Sequence, residues 1–195
     1  MQIETNDPLE SPVFASELAS YAKLDDDDPM IDTVLLSATS AVVSFLKQDL
    51  MTRTWKLTYR TWPTVGTPHY KQIYRSNYHM RHLIELPYTN LVGVDSVLLA
   101  GEATTDYLVN SGKPYTLEFG TFSTFGDDQN ALEITYRAGF GDSTADVPQP
   151  IRNAIMMAAG YIYAHNGACD YNDALAMSGA KQLLTPYAVK AGIVI

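Results

Sequence analysis

Cysteine is nearly absent from this sequence, and long apolar runs are absent altogether. Cys169 is the only cysteine, which excludes an internal disulfide and any metal site built from several thiolates. The N-terminus has no basic segment followed by an apolar stretch, and no apolar run is long enough to cross a bilayer. We therefore expect neither secretion nor insertion into a membrane.

Motifs of catalysis and cofactor binding are also missing. The sequence contains no G-x-S-x-G, no P-loop, no H-E-x-x-H and no G-x-G-x-x-G, and Gly139-Phe140-Gly141 lacks the third glycine of a nucleotide loop. His69, His79 and His82 have no spacing typical of metal ligands and are interpreted as surface or half-buried residues. The sequence predicts a protein that is not an enzyme and has no cofactor or metal.

Basic residues are scarce and unevenly placed. The chain has 13 Lys and Arg against 22 Asp and Glu, which gives a net charge of −9. Residues 1–50 carry −8 and residues 101–150 carry −6, whereas residues 51–100 carry +4. An acidic protein is a poor candidate for gripping duplex DNA through its phosphates, although it can surround DNA without holding it.

Helical periodicity is clearest after an acidic run, Asp25–Asp28. Asp28 followed by Pro29 predicts a helix start, and the apolar stripe behind it comprises Ile31, Val34, Leu35, Ala38, Ala41, Val42, Phe45 and Leu46. An EF-hand calcium loop beginning at Asp25 or Asp26 would need glycine where Met30 or Ile31 stands. We therefore interpret the aspartates as a helix cap and acidic surface. A shorter helix is predicted over Ser11–Lys23, after a loose segment at Met1–Glu10.

The middle of the chain has the two-residue period of strands. Trp55, Leu57 and Tyr59 alternate with polar residues, and turn signals separate further strands. The predicted strands are Thr54–Arg60, Arg81–Leu86, Leu91–Leu99, Tyr107–Val109, Tyr115–Phe119 and Leu132–Ala138. A turn is also predicted at Gly126-Asp127-Asp128. Short strands separated by turns predict a small antiparallel sheet, sandwich or barrel.

Leu132–Ile155 connects this sheet to a second long helix. Gly139 and Gly141 allow backbone angles closed to other residues, so the strand is predicted to end there. The helical period begins at Ile151 after Pro148 and Pro150. The predicted fold class is therefore α+β: a small helical bundle with an antiparallel β domain inserted between its second and third helices. Residues 1–53 and 147–195 form the helical parts in this prediction, and residues 54–140 form the insertion. A last short helix is predicted at Ser178–Thr185.

Two segments are predicted to make contacts. Tyr59–Arg81 mixes aromatic and basic side chains, which suits a protein contact, a plain hairpin packed on its own sheet, or single-stranded nucleic acid; its candidate contact residues are Tyr70, Lys71, Tyr74, Arg75, Tyr78 and Arg81. The tail Tyr187–Ile195 ends in apolar, β-favouring residues. Such an end either packs on its own chain or pairs with a partner as a strand.

Several distinctive phrases follow one another along the chain. They are ELASYAKL before DDDD, then RTWKLTYRTWP, IELPYTNLVGVDSVLL, LEITYRAGFGDSTADVPQPIRNAI and AKQLLTPYAV. In their order and spacing, these phrases resemble the tailed-bacteriophage head–tail connector family, also called head-completion adaptors. The resemblance covers about Val13 to Val189, and Val65–Met80 is longer than the usual hairpin at that place.

This resemblance implies a structural virion protein. Similar proteins form a ring, generally twelve-fold, beneath the portal protein in the neck between head and tail, after assembly in the host cytoplasm. The expected partners are further copies of the chain, the portal, and a tail, stopper or nozzle protein, with duplex DNA passing through the ring. The candidate channel lining is Asp25, Asp26, Asp27 and Asp28, and the candidate portal or neighbour contacts are Tyr187, Val189, Ile193, Val194 and Ile195.

Two alternatives stay open at this point. One is a stopper or tail-completion protein of similar fold. The other is a module that binds single-stranded nucleic acid through Tyr59–Arg81.

Overall fold

Two separate hydrophobic cores divide the chain into two compact units. A computed structural model describes residues 1–25, 27–75, 79–88, 90–112, 114–120, 131–167 and 169–188. The sheet unit consists of Met1–Asp7 and Thr52–Gly139, and the helical unit of Pro8–Met51 and the described residues from Phe140 onward. Five α-helices and two antiparallel sheets in the described residues confirm the predicted α+β fold class.

The helical unit is built around its two long helices. α2 carries the predicted apolar stripe, and Ile31, Val42 and Leu46 of this stripe are fully buried. α3 contributes Ile151, Ile155 and Ala158 to the same core, since these positions recur at helical spacing. The helices are α1 (Ala15–Ala22), α2 (Met30–Leu46), α3 (Gln149–Ala164), α4 (Tyr171–Met177) and α5 (Ala180–Leu184).

The helix ends follow local chemistry. α1 begins after Phe14, whose backbone N–H donates to the Glu17 carboxylate at 2.9 Å. α2 ends at Lys47, which adopts φ +56° and donates its N–H to the carbonyl of Val43. After α3, the N–H of Gly167 reaches the carbonyl of Ile162 at 3.0 Å, so Asn166-Gly167 is the helix stop that the sequence indicates.

The sheet unit contains two sheets that share one core. The first sheet has the strand order β1-β2-β9-β5-β6, and the second has the order β3-β4-β8-β7. The described strands are β1 (Gln2–Glu4), β2 (Arg53–Tyr59), β3 (Tyr70–Arg75), β4 (His79–Glu85), β5 (Leu91–Leu99), β6 (Glu102–Ala103), β7 (Tyr107–Asn110), β8 (Thr116–Phe119) and β9 (Leu132–Ala138).

Alternation sets which side chains enter this core. Along β2 and β9, Trp55 pairs with Tyr136 and Leu57 with Ile134, and all four side chains are buried. Leu117 of the second sheet belongs to the same cluster. A strand exposes successive side chains on opposite faces, so the two-residue period in the sequence places every second residue inside.

Several elements differ from the sequence expectation. The N-terminal segment, expected to be loose and to belong to the helical part, forms β1 and pairs with β2. Asp7 then fixes the segment, since its carboxylate accepts the Thr54 N–H at 2.6 Å and its carbonyl accepts from Arg53. β6 was not predicted either, and β3 was foreseen only as one arm of the hairpin left open for Tyr59–Arg81. The predicted turn at 126–128 lies outside the described residues.

The strand-to-helix connection depends on two glycines for different reasons. Gly139 has φ +154°, whereas Gly141 does not have a positive φ. A Cβ on Gly141 would instead collide with the side chain of Asp146. That side chain accepts the Ser143 N–H at 3.0 Å and caps the 3-10 turn Thr144–Asp146, after which Pro148 leads into α3. Close approach of a carboxylate, rather than backbone angle, therefore requires glycine at position 141.

Candidate interaction surfaces

The acidic run forms the start of α2, and one of its aspartates has a structural role. Asp28 accepts the Met30 N–H at 2.8 Å and the hydroxyl of Tyr163 from α3. These two donors, Tyr163 first, hold the pKa of Asp28 below its usual value. Asp25 and Asp27 are exposed, and Asp26 lies outside the described residues.

Further acids lie near the starts of α2 and α4. Tyr163 is near the end of α3, so its bond to Asp28 places the end of α3 beside the start of α2. α4 starts seven residues after the end of α3, with Asp170 as its N-cap, and Asp32 and Asp173 lie in the first turns of α2 and α4. Asp170 and Asp173 are far from the acidic run along the chain, so the sequence pattern gives no reason to group them with it.

The base of the C-terminal tail is fixed by a buried amide. The Gln48 side chain is 1% exposed and donates to the Tyr187 carbonyl at 2.6 Å. The ring of Tyr187 packs partly buried against the helical core. The other candidate tail residues, Val189, Ile193, Val194 and Ile195, lie outside the described residues. Tyr187, the first candidate tail residue, is therefore held at a defined position in the helical unit.

The Tyr- and Arg-rich segment folds as a hairpin, one of the three interpretations left open. β3 pairs with β4 from Tyr70↔Ile84 to Arg75↔His79. Lys71 is exposed and lies 3.9 Å from Glu85, and Arg81 is half-buried with Nε 3.7 Å from the buried Glu118 carboxylate. The structure describes only the backbone of Tyr74 and Arg75, and Tyr78 lies outside the described residues. The candidate contact role of these three side chains therefore stays a prediction.

Tyr70 does not fit its predicted role as a contact residue. Its ring is buried, and its hydroxyl lies 2.6 Å from Nδ1 of His82. Burial raises the pKa of Tyr70 and lowers the pKa of His82. Trp62 contacts the imidazole edge to face. A side chain buried in the core of its own sheet unit is not available to contact a partner.

Two kinds of feature are missing from the part of the chain that the structure describes. No group of three or more His, Cys, Asp and Glu side chains there is arranged to hold a metal ion. Among the same residues, none of the helices has the length and apolarity needed to span a membrane.

Taken together, the two units define a class of fold: a small helical unit whose chain is interrupted, between its second and third helices, by two antiparallel sheets. Neither protein-family models nor curated proteins match the chain. Solved structures do match it along its whole length, and they come from gene transfer agent (GTA) particles.

Three of these structures give the same result. A chain from the neck of an empty GTA particle, computed with C6 symmetry, has a TM-score of 0.72 at 15% identity. Chains from the virion of the native particle and from its neck computed with C12 symmetry have TM-scores of 0.68 and 0.69 at 14% identity. Each match covers 100% of this chain and 99% of the other. The chain shares the complete fold of these particle components.

Proposed function

We propose that this protein is a structural component of a virion neck, a head–tail adaptor that assembles as a ring beneath the portal. The observation that carries the proposal is the fold match over 100% of this chain to a chain of a GTA neck. The neck structures were computed with C6 and C12 symmetry, which fits the twelve-fold ring implied by the sequence resemblance. A closed ring repeats one heterologous interface until it closes.

In this proposal the ring surrounds the path of DNA between head and tail. The acids at the start of α2 and α4 supply negative charge, and negative charge on a channel wall repels phosphate. DNA then slides through the ring without being held. The protein has no catalytic task in this role, and its partners are the portal, further copies of itself, and a tail, stopper or nozzle protein.

The C-terminal tail is the proposed attachment to the portal or to a neighbouring copy. Its base is immobilised, because Gln48 holds the Tyr187 carbonyl. The apolar, β-favouring residues Gly192–Ile195 suit an extended strand added to another subunit.

Imaging of assembled particles by cryo-electron microscopy tests the proposal. The expected result is a ring of this protein between portal and tail, with Asp25–Asp28 facing the channel and the tail on the portal or an adjacent copy. A ring that contacts the tail but not the portal would instead assign a stopper or tail-completion role. Absence of the protein from the neck would overturn the proposal.

A further inference from the structure

Charge is unevenly distributed over the helical unit. Residues 8–51 and 140–195 contain twelve acidic and five basic residues, a net charge of −7. Yet α2 has no charged residue from Thr33 to Leu46, and α3 has none from Asn153 to Ala164. The acids lie at helix ends and in connections. Two copies of this unit repel each other, unless the surfaces that meet are the uncharged sides of the helices.

One of these sides carries exposed aromatic rings. Phe14 and Tyr21 are 59% and 54% exposed, and their seven-residue separation places them on the same flank of α1. Between them Glu17 pairs with Arg152 of α3, which also donates to the carbonyl of Pro12 at 3.1 Å. The two charges that lie between the rings along α1 and α3 therefore neutralise each other.

Residues of α3 lie beneath these exposed aromatic rings. Arg152, Met156 and Gly160 follow one another at four-residue spacing and so share one face of the helix. Tyr21 lies over Gly160, with its Cε1 atom 3.9 Å from the position that a Cβ would occupy there. Half-buried Met156 lies between the two contact points. We call the surface formed by Phe14, Tyr21, Met156 and Gly160 the α1–α3 face.

A second exposed apolar side chain lies on another helix. Met177, at the end of α4, is 71% exposed. α4 packs against α2, α3 and α5, whereas α1 packs against α2 and α3. The turn that follows α4 lies against Met157, since a Cβ on Gly179 would be 3.4 Å from its methyl group. Met157 and Met156 point about 100° apart around α3, so the turn that follows Met177 and the α1–α3 face lie against different sides of that helix.

We propose that the α1–α3 face binds a second copy of this chain at the surface around Met177. This inference rests on the proposed ring, because a closed ring needs two different complementary surfaces on each subunit. Aromatic rings provide a rigid apolar surface, and an unbranched methionine side chain adapts to such a surface. The four residues of the α1–α3 face are uncharged and the neighbouring Glu17 pairs with Arg152, so two acidic units can approach there.

Disulfide trapping tests the pairing, because the chain has a single cysteine to remove. In a Cys169→Ser background, Tyr21→Cys and Met177→Cys are made as separate full-length proteins and mixed under mild oxidation. The expected result is a cross-linked dimer in the mixture and none from either protein alone. Val65→Cys, at a site 76% exposed in the sheet unit, is mixed with Met177→Cys as the control and is expected to give no cross-link.

Sedimentation velocity supplies an independent measurement. Phe14→Ser and Tyr21→Ser are each expected to shift the purified protein from oligomer to monomer with an unchanged circular dichroism spectrum, whereas Val65→Ser keeps the oligomer. Homodimers from Tyr21→Cys alone would show a two-fold contact and overturn the proposal, as would a wild-type monomer that gives no cross-link in the mixture. A neck ring seen by imaging without the Tyr21–Met177 cross-link would overturn this pairing and leave the proposed function standing.

Discussion

At the scale of single residues, His82 shows how burial decides the role of a side chain. The sequence places it within a group of three histidines whose spacing is not typical of metal ligands. In the structure its Nδ1 atom lies 2.6 Å from the hydroxyl of Tyr70, and the ring of Trp62 contacts it edge to face. Across the strands it pairs with Gln72 and Phe119. The imidazole is part of the core of the sheet unit.

This environment predicts a loss of stability in mild acid. Burial lowers the pKa of His82 in the folded protein, whereas the unfolded chain has a pKa of about 6.5. As the pH falls below about 6.5, the unfolded chain takes up the proton first, so the free energy of unfolding decreases. Urea denaturation at pH 7.5 and pH 5.5 measures this decrease.

The matched variant is His82→Gln, whose amide oxygen can accept from the hydroxyl of Tyr70 without titrating. It is expected to lose less stability than the wild type between the two pH values. An equal loss in both proteins would show that other groups cause the pH dependence. Arg81 and Glu118, the charged neighbours on β4 and β8, remain in both proteins, so their contribution cancels in the comparison.

At the scale of elements, the connection from β9 to α3 is the best-predicted part of the chain. β9 has the bounds that the alternation predicts, and Pro148 precedes the helix as expected. The reason for the second glycine was wrong, however. Gly141 admits the side chain of Asp146, which caps the following turn, and this contact depends on a chain reversal that periodicity does not describe.

Gly141→Ala is therefore expected to destabilise the protein by about 1–3 kcal/mol, because the new methyl group displaces the capping carboxylate. Gly160→Ala is the matched control. Gly160 lies inside α3, and its added Cβ meets only ordinary van der Waals contact, so we expect a gain of about 0.5–1 kcal/mol from helix propensity. Thermal and urea unfolding of both variants measure the difference. Equal effects of the two substitutions would contradict this explanation of Gly141.

At the scale of the whole molecule, the distribution of charge is more informative than its total. The exposed acids at the start of α2 have no structural partner comparable to that of Asp28, which caps its helix and binds Tyr163. A test of the channel must therefore leave Asp28 unchanged. Otherwise a loss of stability would be mistaken for a loss of function.

Asp25→Asn with Asp27→Asn is the suitable variant, and Glu102→Gln with Asp106→Asn, exposed in the sheet unit, removes the same charge elsewhere. Both are expected to keep the free energy of unfolding within about 0.5 kcal/mol of the wild type. Only the first is expected to slow the release of DNA from assembled particles, because it weakens the repulsion of phosphate. Equal release rates for the two variants would argue against a channel lined by this end of the helical unit.

The sequence by itself determined which residues enter each core and what kind of element they form. The stripe of α2 and the alternation of β2 and β9 appear directly in the order of residues, since helix and strand periods are local properties. The α+β fold class followed from the positions of these periods along the chain. β1 and β6 were missed because short strands carry little periodicity and depend on the neighbour with which they pair, whereas β3 was foreseen only as one arm of the hairpin left open for Tyr59–Arg81.

The tertiary structure alone decided which distant residues meet. The bond from Tyr163 to Asp28 joins residues 135 positions apart, and the bond from Gln48 to Tyr187 joins residues 139 positions apart. It also placed Tyr70 inside the core, Phe14 and Tyr21 on one surface, and the end of α3 beside the start of α2. Such contacts arise from the packing of whole elements, and no local pattern in the sequence specifies them.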